Sequence, residues 1–200
     1  MSFKAEFETV DLILNSECVT KGVDAFALSL IKAERQMRKL FTFLVYQNPK
    51  LQLQFAGLRE TLANNRKVYF QGFISGIEAM YPIKIQELIG SDYEVLKASL
   101  FTSIDDRNKI FHGQLTTKRL TAEDFFWKIK DIKMWCGLLA ESATNEFGYD
   151  GFERNSMQPS KKNIYPRFLV KLESINGYKE FISTHTEKSK LSKEEIKRLN

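Results

Sequence analysis

One long amphipathic helix is the feature that most restricts what this chain of 200 residues can fold into. Apolar side chains recur at steps of three and four residues, which places them on one face of an α-helix. They are Phe26, Leu30, Ala33, Met37, Leu40, Phe41 and Leu44. The pattern predicts a helix from Lys21 to about Gln47. It ends at the stretch Asn48–Lys50, because the residue before a proline avoids the helical region.

Helical periodicity continues along most of the chain. The predicted elements are an interrupted helix over Leu51–Gly90, with a turn at Asn64–Asn65 and a break at Pro82, a helix from Asp92 to about His112, a helix from Thr121 to about Phe147, a long irregular link, and short helical pieces around Arg167–Ser174 and Tyr178–Ser183. Gly90 as a C-cap and a capping box of Ser91 with Glu94 mark the start of the Asp92 helix. Thr121 and Asp124 open the next helix in a similar way. The four-residue spacing of Gly72 and Gly76 predicts close packing of two helices there.

Strand signals are nearly absent from the sequence. The stretch LQLQF at residues 51–55 alternates, but one isolated strand cannot form a sheet. The sequence therefore predicts an all-α fold, a helical bundle with additional short helices at the C-terminus. We expect a single helical domain over residues 1–183 and a charged tail over residues 184–200.

Composition excludes several classes of protein. No run of 18 apolar residues indicates a membrane span, and the first residues lack the features of a secretory signal, so we expect a cytoplasmic protein. Cys18 and Cys136 match no metal or redox spacing, and both are predicted to be buried core residues. With two histidines in the chain, a zinc site is improbable, and we expect no metal and no cofactor.

The net charge of +5 indicates a mild preference for anionic partners. Most of the excess lies in the last quarter of the chain. A solvated tail is favoured over a dedicated nucleic-acid patch for this segment.

The stretch DDRNKIFHG at residues 105–113 carries the candidate site. On an ideal helix Asn108 and His112 share one face, while Arg107 lies about 140° from His112, within an apolar stripe. An unpaired buried cation is costly, so either Arg107 lies beside a carboxylate or a phosphate, or the surface it faces is not dry core. Glu34 on the first predicted helix is a candidate partner.

Arginine and histidine together have the chemistry of metal-free RNA cleavage. Arginine stabilises the charge on phosphorus, and histidine takes a proton from the 2′-hydroxyl or gives one to the leaving oxygen. The alternative is that Asn108 and His112 only cap the helix and form surface hydrogen bonds. On composition alone this structural reading is favoured, since the bare spacing of one arginine and one histidine arises often by chance.

The stretch RNKIFHG resembles the R-x4–6-H motif of the HEPN superfamily, with the polar Asn108 directly after Arg107. The order of predicted helices over about residues 21–148 also resembles a HEPN four-helix up-and-down bundle. The resemblance implies a homodimer in which two motifs meet in one cleft, and a metal-independent endoribonuclease in which Arg107, Asn108 and His112 are catalytic. In that reading Arg107 contacts the scissile phosphate, Asn108 orients it, and His112 transfers protons.

Two functions follow as expectations. The first is cleavage of single-stranded RNA by a homodimer, in a toxin–antitoxin or defence context, with an antitoxin or another protein as a partner and with no DNA or membrane partner. The second is a non-catalytic dimeric module that binds protein or RNA. Some toxin members carry a modified tyrosine two residues after the histidine, where this chain has Gln114.

Charged and aromatic residues outside the motif are weaker candidates. Glu34, Arg35 and Arg38 could assist RNA binding, although a solvated helix face is favoured. Trp127 and Trp135 are predicted to lie in the core or a dimer interface rather than to stack on bases.

Overall fold

The computed structural model describes residues 2–64, 68–153 and 155–186. Its helices are α1 (Phe3–Leu14), α2 (Lys21–Tyr46), α3 (Pro49–Gln52), α4 (Phe55–Asn64), α5 (Phe70–Met80), α6 (Ile85–Ile89), α7 (Tyr93–Phe111), α8 (Ala122–Phe147) and α9 (Ile175–His185), with 3-10 turns at Gly90–Asp92 and Tyr165–Arg167. Within the described ranges no residue is in a strand, so the all-α prediction is confirmed. Across those same ranges, no helix has the length and apolar character needed to cross a bilayer.

Helices α2 and α8 form the centre of the fold. Gly22 lies against Phe125, and the Gln36 side chain reaches the carbonyl of Cys136, so α2 and α8 run in the same direction. Trp135 on α8 is fully buried and contacts aromatic rings of α5 and α7. The apolar face predicted for α2 is likewise buried in this core.

Helix α7 packs antiparallel to α8. Two contacts establish the direction: Lys128 lies 3.0 Å from Asp106, and Ser99 donates a hydrogen bond of 2.6 Å to Asp131. Helix α7 therefore also runs opposite to α2. In an up-and-down bundle of four helices, the first and last run in opposite directions, so the expected simple alternation is wrong here. The physical reason is that several short helices, rather than one long helix, connect α2 to α7.

The predicted bounds of the long helices agree with the structure to within about a residue. The capping box of Thr121 and Asp124 is confirmed: Asp124 N donates to Thr121 Oγ1 at 3.2 Å, and Thr121 N donates to Asp124 Oδ2 at 2.7 Å. The box predicted for Ser91 and Glu94 is wrong. A 3-10 turn covers residues 90–92 instead, and α7 begins without a side-chain cap.

Helix α1 is an element that the sequence reasoning missed, because its apolar face is short and interrupted by charge. Phe7 and Val10 are buried against the core. Glu6 is also buried, and it forms ion pairs with Lys32 at 3.2 Å and Arg35 at 3.1 Å. These two cations of α2 thus hold α1 in place, since a buried carboxylate needs partners.

Residues 149–153 and 155–174, here called the strap, pack along α2 although they are irregular. Amide side chains of α2 and of the residues just after it bind the backbone of the strap. Gln36 donates to the carbonyl of Asp150 at 3.1 Å, and Asn48 Oδ1 accepts from Leu172 N at 2.8 Å. The helix predicted around Arg167–Ser174 is wrong, because this part of the backbone binds the end of α2 instead of itself.

Close packing at Gly72 and Gly76 is confirmed. A Cβ at Gly72 would lie 2.5 Å from the carbonyl oxygen of Thr186, and one at Gly76 would lie 2.7 Å from the Phe41 ring. The end of α9 therefore approaches α5 where α5 has no side chains. Asn65 of the predicted turn and residues 187–200 of the predicted tail lie outside the described residues.

The two cysteines differ in burial. Cys136 is buried in the core as predicted, and burial raises the pKa of its thiol. Cys18 is exposed in the loop between α1 and α2, so its predicted burial is wrong.

Candidate functional site

The motif residues Asn108 and His112 occupy the last turn of α7 and its C-cap. His112 N donates to the carbonyl of Asn108 at 3.1 Å, so the two residues lie one turn apart on one face, as predicted. Both side chains are exposed. In the described part of the chain, the His112 imidazole has no hydrogen-bond or ion-pair partner, so it is accessible to a ligand.

Gly113 ends α7 in the left-handed conformation, with φ of +65°. Gly113 N donates to the carbonyl of Ile110 at 3.1 Å, and Gln114 N donates to that of Lys109 at 2.8 Å. This pair of hydrogen bonds is the Schellman motif, which satisfies the last carbonyls of a helix. The glycine of the candidate motif therefore has a structural explanation that needs no chemistry.

Arg107 is held inside the chain by two neighbours. Its Nη1 lies 2.9 Å from Glu34 Oε2, and its side chain is only 14% exposed. Its Nε and Nη2 donate to Asn108 Oδ1 at 3.3 Å and 3.0 Å. The cation on the apolar stripe thus has the carboxylate partner that its position requires, and Glu34 is that partner.

The structure brings Arg107 and Asn108 into direct contact, which helical geometry alone did not indicate. Asn108 shares a face with His112 and also binds Arg107, so it links the two sides of the motif. The sequence indicates this contact only in that the two residues are adjacent, because the short side chain of Asn108 can reach the guanidinium of the residue before it. The carbonyl oxygen of Asn108 thereby fixes the plane of the guanidinium.

The acidic residues before Arg107 have partners of their own. Asp105 pairs with Lys109 at 2.6 Å, and Asp106 pairs with Lys128 at 3.0 Å. Over the ranges that the structure describes, no group of three or more histidine, cysteine or acidic side chains is arranged to hold a metal ion. Beside these ion pairs, the end of α7 presents the guanidinium of Arg107, the amide of Asn108 and the imidazole of His112.

The charged face of α2 is not uniformly solvated. Arg35 pairs with Glu6, and the Arg38 guanidinium lies 4.9 Å above the centre of the Phe73 ring. Lys39 donates to the carbonyl of Phe152 in the strap at 3.2 Å. Burial lowers the pKa of Lys39, and the nearby positive charge of Arg35 lowers it further.

Large apolar side chains are exposed near the motif. Phe111 and Leu115 flank the end of α7, and Phe126 and Trp127 lie on the first turns of α8. The two aromatic rings of α8 contact one another edge to face at 5.6 Å. Trp127 is therefore a surface residue of this chain, whereas Trp135 is in the core.

Comparison with protein-family models, with curated proteins and with solved structures gives no match for this chain.

Proposed function

We propose that this protein is a metal-independent endoribonuclease that cleaves single-stranded RNA as a homodimer. The observation that carries the proposal is the end of α7, where an accessible imidazole and an amide-bound guanidinium lie within two turns of one helix. The R-x4-H spacing with a polar residue after the arginine, similar to that of the HEPN superfamily, supports the same conclusion. The proposal rests on this motif and not on the order of the helices.

In the proposed chemistry, Arg107 binds the scissile phosphate. A planar guanidinium binds two phosphate oxygens at once, and Asn108 already orients that plane. An incoming phosphate exchanges with Glu34, which is 35% exposed and returns to water at modest cost. The cation then stabilises the negative charge that develops on the phosphorane.

His112 carries the proton transfers. A neutral imidazole takes the proton of the 2′-hydroxyl, whose oxygen attacks phosphorus while the bond to the 5′-oxygen breaks. A protonated imidazole gives its proton to that leaving oxygen, so the products are a 2′,3′-cyclic phosphate and a 5′-hydroxyl. One site therefore needs both a neutral and a protonated imidazole. One is the His112 of this copy, and the other is the His112 of a second copy of the chain. Exposed Phe111 and Leu115 beside the motif provide apolar area for this contact.

Substitution of the motif tests the proposal. We expect His112→Ala and Arg107→Ala to abolish cleavage of a fluorescent single-stranded RNA in buffer with EDTA, while circular dichroism shows an intact helical fold. His185→Ala, which removes the only other histidine of the chain, is the matched control and should retain cleavage. Equal turnover by the wild type and both motif variants would refute the assignment.

A specific observation favours a second candidate, a non-catalytic dimeric module that binds RNA or a protein. Each nitrogen of the Arg107 guanidinium already donates to Glu34 or Asn108 within the chain, as in a structural ion pair. This candidate predicts no cleavage by the wild type at any pH, together with a dimer by light scattering that survives His112→Ala. An antitoxin-like or defence gene beside this one would favour the ribonuclease instead.

A further inference from the structure

A small pocket is lined by Arg38, which lies one turn of α2 from Glu34, the partner of Arg107. Its walls come from α2, α4, α5, α9 and the strap, and it encloses about 200 Å³. Arg38 stands four residues after Glu34 on α2, which puts the two side chains next to one another on the helix surface. The pocket is therefore adjacent to the ion pair of Arg107.

Two arginines give this pocket its charge. Arg38 and Arg59 line it, and no carboxylate is among its lining residues. Within the residues that the structure describes, neither guanidinium forms an ion pair, in contrast to Arg35 and Arg107, which both do. Unpaired cations placed together repel one another, so an anion between them is stabilising.

The inner surface of the pocket is apolar and aromatic. Its lining includes the buried Phe41 and Phe73 and the partly buried Leu62 and Met157. The central carbon of the Arg38 guanidinium lies 4.9 Å from the centre of the Phe73 ring, and Arg38 is exposed. An exposed guanidinium plane can take a second planar group, and arginine planes stack on the bases of single-stranded RNA.

We propose that this pocket binds one nucleotide of single-stranded RNA next to the cleavage site. Arg59 and Arg38 bind its phosphate, and the base stacks on the outer face of Arg38, beside the apolar wall of Met157. The inference rests on the proposed function for its substrate class. It adds a recognition site outside the motif, built from α2 and α4, that holds the strand while Arg107 exchanges Glu34 for the scissile phosphate.

Salt-dependent RNA binding tests the proposal. The assay measures fluorescence anisotropy of a short fluorescein-labelled oligouridine with the His112→Ala protein, so that the probe stays intact. For single strands, each phosphate contact contributes about 0.7 to the slope of log affinity against log salt. Because both arginines bind the same phosphate, we expect the double variant Arg38→Gln with Arg59→Gln to reduce the slope by about 0.7, and each single variant to reduce it by no more than that.

Two further variants separate the roles of charge and stacking. Arg38→Lys keeps the charge but removes the plane, so the slope should stay while affinity falls about fivefold or more. Lys97→Gln is the matched control. Like Arg38, Lys97 lies over an aromatic ring, that of Tyr93 at 5.2 Å, but it stands near the start of α7 and does not line the pocket. It should leave both slope and affinity close to those of the parent protein. Thermal melts identify any variant that has lost its fold.

An unchanged slope for the folded double variant would overturn the subsite. A decrease in slope no larger than that of Lys97→Gln would also overturn the subsite, since it would reflect the change in net charge alone. The proposed function fails separately: a wild type that binds through these arginines but never cleaves RNA keeps the subsite and loses the ribonuclease. If the wild type cleaves RNA but the arginine variants leave the slope unaltered, the ribonuclease is kept and the subsite is lost.

Discussion

Breaking the ion pair of Arg107 and Glu34 should cost more when the glutamate is removed than when the arginine is removed. Glu34→Gln leaves a guanidinium whose side chain is only 14% exposed, whereas Arg107→Gln leaves a carboxylate that is 35% exposed and can rehydrate. An uncompensated charge is destabilising in proportion to its burial. The asymmetry therefore follows from the position of Arg107 on the apolar stripe of α7.

The magnitude lies between two known limits. Exposed ion pairs contribute about 0–1 kcal/mol, and breaking a fully buried pair costs about 3–5 kcal/mol. The separation of 2.9 Å and the partial burial of both side chains place this pair in between. We expect a coupling free energy of about 1–2 kcal/mol from a double-mutant cycle, as an interpolation between those limits.

Urea unfolding followed by circular dichroism at physiological ionic strength measures the cycle. The matched control is the pair of Lys133 and Asp11, at 2.6 Å but with side chains 31% and 49% exposed, whose coupling should be below about 1 kcal/mol. A coupling for Arg107 no larger than that of the control would refute the reasoning, as would a larger loss for Arg107→Gln than for Glu34→Gln. The predicted loss leaves Arg107→Gln folded, so its lost cleavage would report chemistry.

Two further predictions concern backbone conformation and pH. Gly113→Ala should lower the free energy of unfolding by about 1–2 kcal/mol, because φ is +65° and the space around the residue is open. Gly151→Ala, at φ of +82°, should lower it by about 1–3 kcal/mol more, because its Cβ would lie 2.6 Å from the Gln36 side chain and overpack the site. Equal urea midpoints for the two variants would contradict this. Burial raises the pKa values of Tyr81 and Tyr93 to about 12 from 10.0, so their stabilising effect is complete below pH 10 and is lost as pH rises towards 12. Urea unfolding at intervals across that range should show falling stability, and tyrosinate absorbance should show these two phenols ionising late, as should Tyr149, whose pKa burial also raises.

The long helices were predictable because their apolar residues repeat at the helical period over many turns. Lys21 as the start of α2 and Gly148 as the stop of α8 follow from local patterns, and Gly148 takes the left-handed conformation that such a stop requires. The candidate motif was also predictable, since Asn108 and His112 depend only on spacing along one helix. Local geometry acts over a few residues, and sequence displays it directly.

The strap and α1 could not be predicted in the same way. Gln36, Gln47 and Asn48 read as ordinary polar residues in sequence, yet all three are buried and bind distant backbone. Their partners lie more than a hundred residues away along the chain. No local pattern records such a pairing, because it is determined by which helices meet.

By itself the sequence determined the helical class, the bounds of α2, α7 and α8, and the face that Asn108 shares with His112. Only the tertiary structure decided that α2 and α8 run in the same direction, that Glu34 and Asn108 hold the guanidinium of Arg107, and that Arg38 and Arg59 meet in one pocket. The physical reason is the range of the interactions. Periodicity and capping depend on neighbours in the chain, whereas ion pairs and pockets depend on neighbours in space.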